Sequence, residues 1–309
     1  MKFISFFAGI GGGDKGFEAA GHECVGQIEQ DPVCRRVLRH HWPHIFMPGD
    51  ESHPYANGDI EFVASGDLPE AALYIVSDPC QQNSRANSRI QNGVSPRSLW
   101  AAAYLLVHLK RPTFVIRENP TLIRKDAPSS AERVAADLER IGYVCTIIDI
   151  QGSQVSGVSR QRTFVCAGIG PAGQRFRDVL RGYKCTKGDW PAHGSAEAPF
   201  AALTCHPRRY DSRDNFIVEP DGRVRVLSGR ERLRGQGFPE TWLECLGEVS
   251  LTRATKLTGN AWPVFMAEYI GRLVTEVATR RKCKRLEAEN ERLKERVKEP
   301  RQGELELRI

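Results

Sequence analysis

The sequence predicts an α/β protein whose core is a mostly parallel β-sheet. Strand and helix patterns alternate through the first 170 residues, and six of the apolar segments are of strand length. With 309 residues, of which 40% are hydrophobic, the chain can bury a full core. This length suits one large domain with a smaller companion.

The six candidate strands are rich in apolar residues, and helical segments separate most of them. Parallel strands need such crossover helices, which is why the sheet is predicted to be mostly parallel. The predicted strands span residues 2–7, 24–29, 73–78, 113–118, 143–149 and 163–168.

The helix before Tyr143 has clear end signals. Ser129, with Glu132 three residues later, forms a capping box that predicts its start, and Gly142 predicts its end. Alanine, valine and leucine residues between these signals supply an apolar face. The sequence therefore predicts a helix that packs on the sheet just before the fifth strand.

The pattern changes after Gly170. Residues 171–226 are rich in Gly, Pro and Arg with little helical period, which predicts a small irregular or β-rich module. Regular apolar patterning returns at residues 227–280, so the large domain is predicted to comprise 1–170 and 227–280. Within the second part, a helix is expected at about 264–278.

The C-terminal segment, residues 281–309, is predicted to be a basic helical tail. Four residues recur there at coiled-coil spacing: Leu286, Asn290, Leu293 and Val297. A buried polar residue at the position of Asn290 can fix the register of the two helices. Homodimerisation through this helix is one interpretation. The other is a solvated extension of the last helix, since barely two heptads precede Pro300 and short helices are marginal alone.

Net charge is weak evidence for a nucleic-acid partner. The chain carries +6, but eleven basic and seven acidic residues from Arg280 onwards account for +4 of it. The N-terminal apolar run is too short to span a membrane, so we expect a soluble, cytoplasmic protein without a membrane partner. Nine scattered cysteines without a C-x-x-C pair argue against disulfides and zinc, and most are expected to be buried.

A glycine-rich loop, F-A-G-I-G-G-G at residues 7–13, follows the first strand and opens a helix. Glycines allow a cofactor to approach the backbone, and free N–H groups at a helix start bind anions. Glu29 ends the next strand, where an acidic side chain can hold ribose hydroxyls. Together these features favour an adenosine-containing cofactor.

Cys80 lies at the carboxyl end of the third predicted strand, in the stretch S-D-P-C-Q-Q-N-S. A lone cysteine is usually a buried thiol. However, the fourth strand ends in R-E-N-P, which can bring Glu118 into the same crevice, because ligands bind at the carboxyl ends of parallel strands. A nucleophilic cysteine beside a proton donor is a catalytic arrangement.

These motifs, in this order, resemble the DNA (cytosine-5)-methyltransferases of bacterial or phage type. The resemblance covers most of the predicted large domain. The matching elements are F-A-G-I-G-G at 7–12, G-D-I at 58–60, P-C-Q at 79–81, E-N at 118–119, R-Q-R at 160–162, L-S-G-R-E-R-L-R-G-Q-G-F-P at 227–239 and G-N-A at 259–261.

The resemblance implies a Rossmann-like methyltransferase sheet with a small inserted target-recognition module, residues 171–226. It implies methylation of cytosine C5 in a specific sequence of double-stranded DNA, in a base that is flipped out of the helix. Cys80 would add to C6 of this base while Glu118 hydrogen-bonds its N3/N4 edge. Arg160 and Arg162 would hold the flipped nucleotide and support the catalytic loop. Whether a restriction endonuclease accompanies the protein is left open.

The same resemblance implies the remaining site residues. Contacts to the cofactor S-adenosyl-L-methionine are expected at Phe7, Gly9, Ile10, Gly11, Gly12, Glu29, Asp59, Ile60, Pro79 and Asn260. Contacts to DNA are expected at Gln81, Ser84, Thr204, Arg208, Arg209, Arg213, Arg230 and Gln236. Arginines in the module suit guanine edges or phosphates, although a solvated loop has the same composition.

Three departures from the family pattern lie near the predicted active site: Asp78, Asn83 and Pro120. An ionised Asp78 would tend to raise the pKa of the Cys80 thiol. One alternative is therefore an inactive DNA-binding member of the same fold. Another is a tRNA cytosine-5 methyltransferase, although the C-F-T tripeptide of that branch is missing from the sequence.

No metal site is expected. The histidine cluster H-H-W-P-H at 40–44 lacks a carboxylate or cysteine to complete a ligand set. It lies at the predicted end of the helix after Glu29, where histidine can interact with the terminal carbonyl groups.

Overall fold

The structure is a computed structural model that describes residues 1–48, 58–79, 99–120, 130–152, 158–182, 200–201 and 216–279. Within these residues, six strands form one sheet in the order β2-β1-β3-β4-β7-β5. Their bounds are β1 Lys2–Phe6, β2 Glu23–Ile28, β3 Leu73–Val76, β4 Phe114–Pro120, β5 Tyr143–Gln151 and β7 Gln161–Ile169.

Strands β1 to β4 are mutually parallel, and β7 runs antiparallel between β4 and β5. All six predicted strands are present, which confirms the mostly parallel α/β sheet. Two short pairs lie outside it. Strand β6 (Val158–Ser159) pairs with β8 (Phe200–Ala201), and β9 (Phe216–Val218) forms a hairpin with β10 (Val224–Val226).

Helices cover both faces of the sheet. Their bounds are α1 Gly12–Ala19, α2 Pro32–His41, α3 Leu99–Lys110, α4 Ser130–Arg140, α5 Pro171–Gly182, α6 Gly229–Gly235, α7 Leu251–Asn260 and α8, residues 264–279. No helix in the described part of the chain is both long and apolar enough to cross a membrane.

The ends of several helices follow from local sequence. Asp31 caps α2 by accepting hydrogen bonds from the N–H groups of Val33 and Cys34, with Pro32 in the first turn. Gly142 follows α4 with a positive φ of 85°, as expected from the sequence. Ser129, the predicted cap of α4, lies outside the described residues.

The core has two layers, one on each side of the sheet. On one face, apolar residues of α5 and α8 pack with Trp262 against the strands. On the other, residues of α3 and α4 pack against alternate strand positions. Four of the five described cysteines are buried, three of them in these layers and Cys34 in a separate apolar cluster, in agreement with their expected role as small apolar residues.

Helix α5 corrects one expectation. Helical periodicity does not end at Gly170, because residues 171–182 form a helix whose apolar side packs on the sheet. Its Phe176 ring contacts Phe114 edge-on at 5.8 Å. The packing residues, which recur at i, i+4, i+7 and i+8, are Ala172, Phe176, Val179 and Leu180. Arginines and glycines between them make this apolar periodicity hard to detect in the sequence. The domain boundaries themselves stay predictions, as does the role of residues 281–309, which lie outside the described residues.

Candidate active site

The glycine loop lies at the carboxyl end of β1 and turns into α1. Phe7 and Gly9 have φ near +59°, and Gly11 has φ of 85° at the start of the helix. The Phe7 and Ala8 N–H groups donate to the carbonyl of Ile28 at the end of β2. This backbone pairing holds the loop beside the adjacent strand end.

The side chain of Glu29, directly after β2, holds this loop in place. Its Oε2 accepts a hydrogen bond from the N–H of Gly9 and its Oε1 from the N–H of Asp31, both at 2.7 Å. Burial raises the pKa of this carboxyl above its ordinary value. A carboxylate oxygen can accept more than one hydrogen bond, and the contact of Glu29 with ribose hydroxyls stays a prediction.

The predicted G-D-I motif at residues 58–60 contacts the end of β2 at Gly58. A Cβ on Gly58, whose φ is 75°, would lie 2.0 Å from the carbonyl oxygen of Glu29, so only glycine fits there. Asp59 follows, and its Oδ1 caps a short 3₁₀ helix by accepting from the N–H of Glu61. Gln30 donates to the Asp59 Oδ2 at 3.3 Å. The side chain of Ile60 packs in the core.

A pocket joins the glycine loop to the end of α7. Asn260 is exposed at the last position of this helix, and it lines the pocket together with Gly9 and Ile10. A Cβ on Gly9 would meet no atom within 4 Å, so open space lies beside the loop. The glycine loop and the end of α7 therefore face one cavity, although about 250 positions separate them in sequence.

Arg160 supports the Asn260 side of this pocket. Its guanidinium is buried and its Nη2 donates to the carbonyl oxygens of Gly259, at 2.7 Å, and Ala261, at 3.3 Å. These carbonyls flank Asn260 in sequence. Arg160 thus binds the backbone of the last motif, which the sequence did not predict.

Glu118 and Arg162 form a largely buried ion pair. The Arg162 Nε lies 2.6 Å from the Glu118 Oε1, and the side chains are 13% and 10% exposed, respectively. Strands β4 and β7 bring them together, with Pro120 opposite Arg162 in the ladder. The register pairs Phe6 with Val76 and Val76 with Arg117, so Glu118 lies at the same sheet edge as the glycine loop.

Of the predicted residues in the catalytic loop and in the module, the structure describes Pro79. Pro79 is exposed two residues beyond the Ser77 N–H, which donates to the carbonyl of Phe6. The others on the catalytic loop and in the module lie outside the described residues: Cys80, Gln81, Asn83, Ser84, Thr204, Arg208, Arg209 and Arg213.

Gln236 requires a correction. Its side chain is 0% exposed, and its Nε2 donates to the carbonyl oxygen of Thr258 at 3.0 Å. A buried amide that is bonded within the protein cannot reach DNA, so its role is to join α6 to α7. Arg230, by contrast, is exposed and only loosely paired with Glu244, at 3.3 Å.

The histidine cluster contacts aromatic residues. The His41 ring stacks on Trp242 at 3.4 Å, and its Nε2 lies 2.9 Å from the Trp242 carbonyl oxygen. Trp242 in turn donates its indole N–H to the carbonyl of Ile10. Among the described residues, no group of three His, Cys, Asp or Glu side chains could hold a metal ion. His41 thus supports the glycine loop through Trp242.

A buried carboxyl group lies behind the glycine loop. Asp14, on α1, is 0% exposed and accepts hydrogen bonds from Gln27 Nε2 at 2.8 Å and from Ser5 Oγ at 3.2 Å. Desolvation raises its pKa from the ordinary value of 3.8 to about 6. Because folding favours its protonated form, its stabilising contribution is fully present below about pH 4 and is lost as the pH rises through 6.

Replacing Asp14 with asparagine is therefore expected to flatten the pH dependence of stability. Above pH 6, ionisation of the buried Asp14 carboxyl lowers the free energy of unfolding by about 3 kcal/mol, because its pKa lies roughly two units above the ordinary value. The variant should exceed the wild type in free energy of unfolding at pH 7.5, and by much less at pH 4.5. Urea titrations at both values measure this difference. An equal difference at both pH values would contradict the prediction, and Asp67→Asn on the surface is the control.

Comparison with known proteins identifies the family. Residues 1–171, more than half of the chain, match the model of the C-5 cytosine-specific DNA methylase family. The chain belongs to this family.

The curated relatives are bacterial. The chain is 25% identical over 305 residues to the Type II methyltransferase M.DsaV of Dactylococcopsis salina, covering 85% of this chain and 83% of that protein. It is 29% identical over 157 residues to M.NgoBV of Neisseria gonorrhoeae. That alignment covers 46% of this chain and 35% of M.NgoBV, so the chain spans about a third of that relative.

Solved structures share the fold. A DNMT2 mutant of Spodoptera frugiperda superposes with a TM-score of 0.61 at 14% identity, covering 89% of this chain and 99% of that chain. A putative DNA modification methyltransferase encoded within an E. coli prophage gives 0.60 at 19% identity, covering 90% and 99%. The protein therefore has the Rossmann-like fold of S-adenosylmethionine-dependent methyltransferases.

Proposed function

We propose that this protein methylates cytosine C5 within a specific sequence of duplex DNA. The observation that carries the proposal is the buried Glu118–Arg162 pair at the sheet edge that the glycine loop also occupies. A carboxyl group held there can share a proton with N3 of a flipped cytosine and accept a hydrogen bond from its N4 amino group. The family match and the bacterial Type II relatives support the same reaction.

The described residues fit S-adenosylmethionine. Gly9 leaves open space beside the loop, Glu29 retains hydrogen-bonding capacity, and exposed Asn260 lines the same pocket. Glu29 would bind the ribose, Asp59 the adenine region, and Asn260 the amino-acid end. When bound, this cofactor supplies the methyl group on a positively charged sulfur.

The chain's own residues supply the remaining chemistry. The Cys80 thiolate forms a bond to C6 of the flipped cytosine, and the displaced electron pair makes C5 nucleophilic. Glu118 stabilises this state by passing a proton to N3 and accepting a hydrogen bond from the N4 amino group, while Arg162 holds the Glu118 carboxyl group in place. N3 returns this proton to Glu118 when the ring is restored. After C5 has gained the methyl group, its proton leaves to a base, and the electrons of that C–H bond expel Cys80 as thiolate. The aromatic ring is thereby restored.

The test is transfer of a labelled methyl group from S-adenosylmethionine into mixed-sequence duplex DNA and, in parallel, into tRNA. We expect label in DNA cytosine, none with Cys80→Ser, and a covalent adduct with duplex DNA that contains 5-fluorocytosine. Label in tRNA alone would favour the RNA methyltransferase. Neither label nor adduct, with cofactor binding intact, would favour an inactive DNA-binding protein.

A further inference from the structure

A second buried ion pair lies one residue away from the proposed catalytic carboxylate. Arg117 is 2% exposed and donates to Asp78 through two nitrogens, Nε to Oδ1 at 2.6 Å and Nη2 to Oδ2 at 2.8 Å. Asn119 adds a third hydrogen bond, from its Nδ2 to the Asp78 Oδ1 at 3.1 Å. The Asp78 carboxylate, which the sequence places close to Cys80, is therefore ion-paired.

This pair joins two strand ends. Asp78 follows β3 and is two residues before Cys80, whereas Arg117 and Asn119 flank Glu118 on β4. Side chains alternate along a strand, so Arg117 and Asn119 point to the face opposite Glu118. The ion pair consequently holds the backbone on both sides of Glu118 without occupying the space of the substrate.

Arg117 also contacts the elements that follow. Its guanidinium lies over the Trp100 ring, 5.6 Å from the centroid, in the first turn of α3. The Trp100 indole N–H donates to Asp137 of α4 at 3.0 Å, and Arg117 Nη2 lies 3.5 Å from the Ser130 Oγ. One guanidinium therefore touches residues on both sides of residues 80–98 in sequence, Asp78 before them and Trp100 after them.

Stability alone gives little reason for this arrangement. Two charges lose their hydration when they are buried, and a buried ion pair is often no more stabilising than apolar side chains of similar size. Arg117 Nη1 is buried and has no hydrogen-bond partner among the described residues, so the pair is not optimised for stability. A bidentate arginine–carboxylate pair does, however, restrict direction and distance strongly.

We propose that the Asp78–Arg117 pair, with Asn119 and Trp100, positions the start of the Cys80 segment relative to Glu118. Asp78, Arg117 and Asn119 are positioning residues, since they act through the backbone of Pro79 and Glu118. The inference rests on the proposed roles of Cys80 and Glu118.

The experiment compares single and double replacements in the full-length protein. Arg117→Met and Asp78→Asn each remove one charge, whereas Asp78→Leu combined with Arg117→Met replaces the pair by apolar side chains. Arg117→Lys keeps the charge but not the two parallel hydrogen bonds. Glu70→Gln is the matched control, because it removes the Lys110–Glu70 pair, in which Glu70 is exposed and which links the segment before β3 to α3.

For each variant, the measurements are kcat and KM for S-adenosylmethionine, the rate of adduct formation with 5-fluorocytosine DNA, and Tm. We expect the charge-removing variants to lose about 10- to 100-fold in kcat and in adduct rate, because small displacements of reacting groups cost this much. KM for the cofactor should stay within about threefold. Arg117→Lys should recover part of the loss, and Glu70→Gln should match the wild type.

The double variant decides between positioning and a purely structural role. If the pair positions Cys80, this variant regains the wild-type Tm while its kcat stays at least about tenfold low. If it regains both, the positioning proposal is wrong even though the enzyme is active. The double variant also keeps the test decisive where the single variants do not fold. Absence of transfer and adduct in the wild type would instead overturn the proposed function, and the positioning role with it.

Discussion

Glu118→Gln is expected to lower kcat by about 10²- to 10⁴-fold, the usual contribution of a positioned acid or base. Glutamine has the size of glutamate but cannot transfer a proton, so it cannot protonate N3 of cytosine as negative charge builds up on the ring. It also removes the ionic partner of Arg162, 2.6 Å away. Steady-state methylation of DNA, at saturating cofactor and DNA, measures this loss in kcat.

The control for this replacement is Glu240→Gln, which removes an exposed pair with Arg234 at 2.9 Å. It should leave kcat unchanged, because surface ion pairs contribute little. Cofactor binding to Glu118→Gln should also remain, since Glu29 and Asn260 are untouched. A kcat within about twofold of the wild type would contradict the catalytic role of Glu118.

Gly12→Ala is expected to have the largest effect on stability. A Cβ at this position would lie 2.0 Å from the carbonyl oxygen of Trp262 and 3.1 Å from the Phe238 ring. Because the nearest atom belongs to the backbone, the start of α1 and the loop after α7 would have to separate. Overpacking of this kind costs about 3 kcal/mol or more, which corresponds to a fall in Tm of at least about 5 °C.

Gly66→Ala is the matched control for Gly12→Ala. No atom lies within 4 Å of a Cβ at Gly66, so its effect should stay within about 0.5 kcal/mol. Thermal unfolding of the two variants, side by side with the wild type, measures the difference. Equal Tm values would show that the contact between α1 and Trp262 is not required. Gly12, whose predicted contact with the cofactor stays a prediction, also packs between these two segments.

The part of the site that the sequence predicted depends on local patterns. Glycines with positive φ, the acidic residue at the end of β2, and the Glu118 position can all be read from neighbouring residues. Arg117 was missed, although a signal was present. An arginine within the apolar strand sequence F-V-I-R-E-N-P needs a buried partner, and Asp78 at the neighbouring strand end is a suitable one.

By itself, the sequence determined the strand order along the chain, the glycine loop and the family, because apolar periodicity and turn residues act over a few positions. Only the tertiary structure decided which distant groups meet. Arg160 bonds to Gly259, 99 positions away, Gln236 is buried against Thr258, and Arg117 pairs with Asp78, 39 positions away. The partner of a side chain depends on the strand order in the sheet and on how helices pack across it. The spacing of residues along the sequence therefore does not predict which distant side chains will meet.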